Sequence, residues 1–572
     1  MNRVRTMYSA RGWRHYLFLG VLLFAGFVLL ARIIFLGDVR RVFLQSAGKS
    51  AEKVETLPGI RGNIVDRNGE VLALSTPGYS ISVNPAQTDF TDSEVVKIAD
   101  TLGLDKRALD LSLSKSQKKS FLFISRKVSR EKGMALQASG IKGLKYEPEY
   151  HRYYPAAETT SHVIGKTNID GIGTEGLELS LDEELRGNPG EKIVLRDLRG
   201  GFIRDLEYKA IPEFGSDIRL TIDMNLQFIA YKELKSAIKS HRAKSGSLIM
   251  LDVGSGEMLA MVNQPSYNPN EGVVDIASMR NRAVTDVYEP GSTIKPFAIL
   301  AALEAEEYEA DTIVDTSPGT FQVSGHQIND PRDYGKLSLP GIIKHSSNVG
   351  IAKIALELPK YSIYEILQRA GLGQRVDVHL PGERSGQLVN DKLDIGIERA
   401  ALAYGYGLTV TPLQLASAYL RIASGGLARR VSLLRREREY AQKPEQVYLE
   451  NHTHSVMQMM ELVASSEGTG RFAALENYRV AGKTGTAQIL KKGRYESSSH
   501  NVWFVGIVPV SKPRLLIITV VNDPQAGMSG GGTVAAPIFA RVARHSLRIL
   551  GVEPDKKSLI LSQQSQERLK QG

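Results

Sequence analysis

Three short stretches carry side chains capable of acyl transfer. The first is Glu289-Pro290-Gly291-Ser292-Thr293-Ile294-Lys295-Pro296-Phe297, where a serine and a lysine stand three positions apart. Pro290-Gly291 punctuates the chain, and Phe297-Ala298-Ile299-Leu300-Ala301-Ala302-Leu303 reads as a buried helix. A serine hydroxyl is a weak nucleophile until a base removes its proton. A lysine on the same helix face is such a base when burial or a nearby cation lowers its proton affinity. The helix N-terminus also offers backbone N–H groups to an oxyanion. The spacing alone is a poor signal. It recurs at Ser46/Lys49, Ser50/Lys53, Ser112/Lys115, Ser116/Lys119, Ser129/Lys132, Ser139/Lys142 and Ser236/Lys239, where a solvated helix face is the plain reading.

Two later stretches single out Ser292. Lys344-His345-Ser346-Ser347-Asn348-Val349-Gly350 supplies a serine and an amide, and Gly482-Lys483-Thr484-Gly485-Thr486-Ala487 a second lysine with two hydroxyls. Ser292 is expected as nucleophile and Lys295 as its general base. Ser346 can relay a proton between a lysine and a leaving amine, and the Asn348 amide can hold a substrate amide and orient the lysine. Lys483 is expected to offer a cation to a substrate carboxylate and to favour the neutral form of Lys295. Thr484 and Thr486 add substrate-binding hydroxyls, and Gly485 is expected to let a strand approach the substrate. The backbone N–H groups of Ser292 and Thr486 are the expected oxyanion donors. No histidine, metal or cofactor is required; His345, His452 and His454 read as surface or loop residues. Ser-x-x-Lys, Ser-x-Asn and Lys-Thr-Gly in this order is the signature set of active-site-serine penicillin-binding proteins and serine β-lactamases.

The elements that must position these residues follow from the rest of the 572-residue chain. Residues 1–15 carry Arg3, Arg5, Arg11 and Arg14 without an acidic residue. Residues 16–36 are apolar apart from Arg32 and would span about 31 Å as a helix, enough to cross a bilayer. The arginines favour a cytoplasmic N-terminus. A cleaved signal peptide is the alternative, with a shorter apolar core and a small-residue cleavage site. The net charge of +10 fits anionic lipid or an anionic envelope polymer, and a membrane anchor argues against nucleic acid. The absence of cysteine excludes thiol chemistry and thiolate metal sites. Residues 37–57 read as a helical connector, and Asn68-Gly69 marks a β-hairpin. The basic run 115–132 reads as a strand and helix with a solvated face. Glu175, Glu178, Asp182, Glu183 and Glu184 come without histidines and read as a charged outer helix face. From residue 216 the texture changes to a strand, an amphipathic helix over 224–238, a buried hairpin over 245–263 and a helical middle. Strands over 502–508 and 514–521 and a helix over 535–550 close it. Strands at both ends of a helical insertion predict an α/β domain with one antiparallel sheet flanked by helices.

From Arg61 onward the chain resembles the class B, monofunctional penicillin-binding proteins. Arg61-Gly62…Asp66-Arg67-Asn68-Gly69, Arg152-Tyr153-Tyr154-Pro155 and Glu175-Gly176-Leu177-Glu178 are similar to motifs of that family's pedestal. Ser346-Ser347-Asn348-Val349-Gly350, Pro381-Gly382-Glu383…Gly386, residues 405–412 and Asn522-Asp523-Pro524-Gln525-Ala526-Gly527 resemble the cell-division members. The resemblance implies a serine β-lactamase-like transpeptidase domain preceded by an elongated α+β pedestal and a single transmembrane helix. The expected segments are a cytoplasmic tail 1–15, transmembrane helix 16–36, connector 37–57, pedestal 58–215, transpeptidase 216–552 and flexible tail 553–572. It implies a D,D-transpeptidase that attacks D-Ala-D-Ala stem peptides of peptidoglycan, releases D-Ala and cross-links septal wall, with β-lactam antibiotics acylating Ser292. The implied site is the periplasmic face of the inner membrane at the division septum. The implied partners are a SEDS-type glycan polymerase and other divisome proteins. Two departures stand out: Met528-Ser529-Gly530-Gly531-Gly532 where division members often have an aromatic pair, and Ser497-Ser498-Ser499-His500-Asn501 where tyrosines are common. Two other classes remain open. A tethered D,D-carboxypeptidase or β-lactamase would share the motifs and turn the acyl-serine over quickly. A non-catalytic divisome scaffold would tolerate loss of Ser292.

Overall fold

The computed structural model describes residues 9–57, 59–196, 202–272, 275–435, 443–491, 494–527 and 530–556. More than half of the expected cytoplasmic tail, most of the C-terminal tail, and Met528-Ser529 lie outside the described residues. Contacts divide the chain into two compact units, Met1–Ile60 with Gly187–Phe214, and Arg61–Arg186 with Gly215–Gly572.

The first unit begins with helix α1, Ser9–Ala51. Over Gly12–Gly37, a stretch of 26 residues, its side chains are almost all apolar and none is buried. A helix apolar all round needs an apolar surrounding, and this stretch is long enough to span a bilayer. The 37–57 stretch departs from expectation. It is helical only to Ala51, and Glu52–Leu57 is a strand paired antiparallel with Gly190–Arg196, which pairs in turn with Phe202–Ala210. Glu55 and Leu57 are half-buried there while Val54 and Thr56 are exposed, a period of two that suits a sheet.

In the second unit the expected hairpin joins Ile64–Val65 to Val71–Val83. Its turn is held by Asp66 Oδ1, which accepts from Asn68 N (2.7 Å) and Glu70 N (2.8 Å). Val71–Val83 also pairs antiparallel with Leu122–Ser129 and with Leu144–Tyr153. Leu122–Ser129 and the helix Arg130–Ala138 are the strand and helix expected of the basic run. Ile81, Val95, Ile98, Val128 and Leu136 form the core beneath. The hairpin is also tied to the C-terminal part. Asp66 Oδ2 accepts from Met224 N (3.0 Å), Arg67 pairs with Glu257 (3.1 Å), and Ile64–Val65 runs parallel to Ile218–Arg219. These bonds explain why the compact units do not divide at the change of texture near residue 216.

The acidic run corrects an expectation. Glu178 is wholly buried, not on an outer face, and accepts Arg61 Nε and Arg152 Nε, each at 2.6 Å. Asp182 takes Arg61 Nη1 at 2.7 Å. Three pedestal stretches far apart in sequence thus meet at one ion cluster.

The C-terminal part is built on a five-stranded sheet. Helix α2 is Met224–Ser240; β1 is Ser245–Asp252, β2 Met258–Gln264, β3 Ala481–Lys491, β4 Arg494–Val508 and β5 Leu515–Asn522. The order is β2-β1-β5-β4-β3, antiparallel throughout. Both faces are covered, and alternate residues serve different cores. Leu248, Met250, Val502, Phe504 and Ile517 pack with α2 residues such as Leu226 and Leu234 and with Phe539, while Ile249, Leu251, Trp503, Val505 and Ile518 face the helical middle, including Phe297 and Tyr419. Phe539 lies on the closing helix Gly531–Ile549, which starts four residues earlier than expected. Burial on both faces makes the strands read as continuous apolar runs.

Candidate active site

Ser292 sits in a single 3₁₀ turn, Gly291–Ile294, which ends with Lys295 N donating to Ser292 O. Helix α3, Lys295–Glu304, continues from it. Side chains three apart eclipse in a 3₁₀ turn, so Ser292 and Lys295 align more closely than an α-helical face would bring them. The turn is clamped from below. Thr293 is buried, its hydroxyl donating to Pro290 O (2.8 Å) and its carbonyl accepting the Tyr419 hydroxyl. From the side, Gly291 N donates to Gly405 O (3.0 Å). Gly405 has φ 88°, and a Cβ on it would stand 1.9 Å from Gly291 O, so only glycine fits. Ser292 is half-buried, whereas Lys295 is completely buried.

The second motif is a tight link between two helices, α4 (Leu339–His345) and α5 (Asn348–Glu357). Ser346 caps α4 in the left-handed region (φ 58°), and Ser347 caps the start of α5 by accepting Gly350 N (2.9 Å). A non-glycine residue in that region costs about 1–2 kcal/mol, a strain typical of functional sites. The result is that Ser346 Oγ lies 3.1 Å from Lys295 Nζ and 2.9 Å from Lys483 Nζ. Lys295 Nζ also donates to Ser346 O and, at 2.8 Å, to Asn348 Oδ1. Asn348 Nδ2 donates to Asn329 O (3.1 Å), which fixes the amide with its oxygen toward Lys295.

The third motif lies on β3, the end strand of the sheet. Strand alternation splits it: Lys483 and Gly485 face one way, Thr484 and Thr486 the other. Lys483 is completely buried and donates to Ser346 Oγ and, at 3.1 Å, to Thr484 O. It therefore points at Ser346 and not, as expected, outward to a carboxylate. Thr484 is buried and donates to Thr469 Oγ1 (3.0 Å), while exposed Thr486 accepts Gly531 N (3.2 Å). Gly485 also differs from expectation. A Cβ there would meet Thr293 Cγ2 at 2.8 Å and Pro290 O at 3.0 Å, so the glycine lets β3 approach the Ser292 turn itself. That contact brings the Thr486 backbone against Gly291, beside Ser292, as a shared oxyanion pocket requires.

Burial pushes Lys295 down to about 7, with the Asp330 carboxylate opposing the shift. Burial also takes Lys483 well below the usual lysine range, and the Lys295 ammonium adds to it. Two ammonium groups on one hydroxyl in a dry pocket cannot both be charged, so near neutral pH the pair shares at most one proton. Burial or a neighbouring cation is expected to keep Lys295 neutral, and of the two it is burial that lowers it.

All eight expected site residues gather around Ser292 and β3. The histidines do not. His345 stacks on Tyr334 (ring centres 4.9 Å apart), and His452 and His454 lie on Glu450–Glu461. Asp330, Thr469 and Tyr419 escape sequence reasoning, because no local pattern marks an aspartate after a hairpin, a loop threonine or a helical tyrosine as partners of distant motifs.

Two family descriptions match the chain: the penicillin binding protein transpeptidase domain over residues 246–544 and the penicillin-binding protein dimerisation domain over 56–220. The peptidoglycan D,D-transpeptidase FtsI of Escherichia coli is 37% identical over 551 residues, 95% of this chain and 93% of that one. The probable peptidoglycan D,D-transpeptidase PbpC of Pseudomonas aeruginosa is 35% identical over 549 residues, 95% and 96% of the two chains. Penicillin binding protein 3 of Mycobacterium tuberculosis, solved in complex with aztreonam, matches with a TM-score of 0.67 at 26% identity over 88% of this chain and 98% of that one. With these relatives along nearly its whole length and the three motifs assembled around Ser346 Oγ, the chain belongs to the class B penicillin-binding proteins of the cell-division type.

Proposed function

We propose that the chain is a peptidoglycan D,D-transpeptidase that cross-links septal wall through an acyl-serine. The observation that carries this is the Ser346 hydroxyl held between two buried lysines, one of them a turn away from Ser292. Neutral Lys295 takes the proton of Ser292 Oγ as the oxygen adds to the penultimate D-Ala carbonyl carbon. The backbone N–H groups of Ser292 and Thr486 hold the resulting oxyanion; each such donor is worth on the order of 10²–10³ in rate. As the C–N bond breaks, the proton passes by way of Ser346 Oγ to the leaving D-Ala nitrogen. An amine on a neighbouring strand then attacks the acyl carbon and surrenders its proton by the same route, restoring Ser292. Asn348 orients Lys295 and holds a substrate amide. Thr484 and Thr486 bind the terminal carboxylate, with Lys483 acting through Ser346. As the end strand, β3 can receive an extended peptide as a further strand. No metal or cofactor enters the reaction.

β-Lactams, as mimics of D-Ala-D-Ala, acylate Ser292; the relative crystallised with aztreonam supports this. The exposed apolar helix anchors the protein once in the inner membrane with its N-terminus cytoplasmic, leaving the catalytic part in the periplasm at the septum. A SEDS-type glycan polymerase and other divisome proteins engage the pedestal and the helix. The test is covalent labelling of the full chain with a fluorescent penicillin. Label is expected on the Ser292 peptide, persisting for many minutes, and none on Ser292→Ala. Loss of label within seconds would identify a β-lactamase instead, and an unlabelled folded wild type would overturn the reading.

A further inference from the structure

Asp330 lies outside the three motifs, at the end of the small hairpin Thr320–Val323/His326–Asn329, yet it is bonded to the second motif at three points. Its Oδ2 accepts the Ser347 hydroxyl, and its Oδ1 accepts Asn348 N and, at 3.2 Å, Val349 N. Its own backbone is pinned by Asp330 N donating to Gly319 O (2.9 Å). The preceding residue supplies the Asn329 carbonyl that orients the Asn348 amide. One short segment thus grips Ser347, Asn348 and Val349, immediately after the left-handed Ser346. Ser346 Oγ can lie between the two lysines only while that turn is held.

We propose that Asp330 is a positioning residue of this site, whose carboxylate both fixes the Ser346–Ser347–Asn348 turn and supplies the countercharge for the one proton carried by the lysine pair. The inference rests on the acyl-serine reading above. The other groups around Lys295 leave the counter-ion role to Asp330. The α3 residues that follow Lys295, 296–303, are apolar; β3 presents Lys483, a like charge; α4 ends in Lys344, which is paired with Glu467, and His345, which is stacked on Tyr334. Asp330 therefore favours the protonated lysine, against the burial that expels the proton.

Asp330→Asn separates the two roles, because an amide can still accept from the two backbone N–H groups but carries no charge. The experiment follows fluorescent-penicillin acylation of the full chain across pH for wild type, Asp330→Asn and Ser347→Ala, with thermal melts to report folding. In the wild type acylation rises with pH as Lys295 loses its proton. In Asp330→Asn this rise is expected about one pH unit lower, since the protonated lysine has lost its counter-ion. Ser347→Ala keeps the charge but cuts one of the three bonds, so its plateau should fall about tenfold with the position of the rise unchanged. A labelled wild type with an unmoved rise in Asp330→Asn overturns this inference alone, and an unlabelled wild type overturns the acyl-serine reading too. Should Asp330→Asn fail to fold, a wild-type plateau in Ser347→Ala overturns the positioning role by itself.

Discussion

Arg61, Arg152, Glu178 and Asp182 are sequestered in the pedestal as opposite charges, whereas Lys295 and Lys483 are sequestered in the catalytic part as like ones. In the first cluster two guanidiniums meet two carboxylates. Arg61 Nη2 also donates to Glu178 O and Arg152 Nη1 to Gly62 O, each at 2.7 Å, so the charges are matched and largely hydrogen-bonded. Such a cluster has nothing to give to a substrate; it joins three stretches of chain. In the second, both lysines donate to one hydroxyl, and burial forces protons off. Buried charge matched by its partners is architecture, and a buried like-charge pair offset by a single carboxylate is stored reactivity.

This contrast can be broken at either end. Lys295→Met keeps the volume and removes the proposed base. Acylation should fall by about 10⁴ in rate, while the melting temperature shifts by only a few degrees, because relief of a buried amine offsets the donors lost to Ser346 O and Asn348 Oδ1. Glu178→Ala should do the reverse. Buried Arg152 loses its carboxylate and buried Arg61 one of its two, which costs about 3–5 kcal/mol and lowers the unfolding midpoint, while the protein that remains folded still acylates at a rate close to wild type. Equal effects of the two changes on melting temperature would abolish the distinction.

The pH dependence sharpens the comparison. With Lys295 at about 7, acylation should climb about tenfold per pH unit below that value and level off above it. The sign for stability is the same. Between about 7 and the ordinary lysine range the unfolded chain holds a proton that folded Lys295 has released, so raising the pH through that window stabilises the fold. A flat acylation profile from pH 5 to 9 would remove Lys295 as the base. The smallest effect is expected at the rim. Thr469→Val deletes the acceptor of the Thr484 hydroxyl and should raise the penicillin concentration for half-maximal acylation about fivefold, leaving the maximal rate nearly unchanged.

Much of the site was legible because its chemistry is local in sequence. Ser292 and Lys295 share a turn, Ser346 and Asn348 share a helix link, and Lys483 to Thr486 share a strand, so each motif could be read by itself. The errors fall where the decisive neighbour is remote. Sequence alone points Gly485 toward the substrate, but its missing side chain faces Thr293. Sequence alone points Lys483 to a substrate carboxylate, but strand alternation turns it to Ser346. Glu178 was placed on an outer face, since nothing within its helix reveals that Arg61, more than a hundred residues earlier, will reach it. The 37–57 stretch reads as a helical connector by itself, because the partner that makes 52–57 a strand lies at 190–196.

By itself the sequence determined the candidate nucleophile and base, the order of the three motifs, the apolar helix and the apolar strands of an antiparallel sheet flanked by helices. These depend on residue type and short-range periodicity, which folding does not alter. Only the tertiary structure decided that burial lowers the proton affinity of Lys295, that Asp330 and Asn329 bond to the two residues after Ser346, and that two arginines converge on Glu178. Proton affinity depends on how much water and which charges surround a group, and the packing of distant segments fixes both.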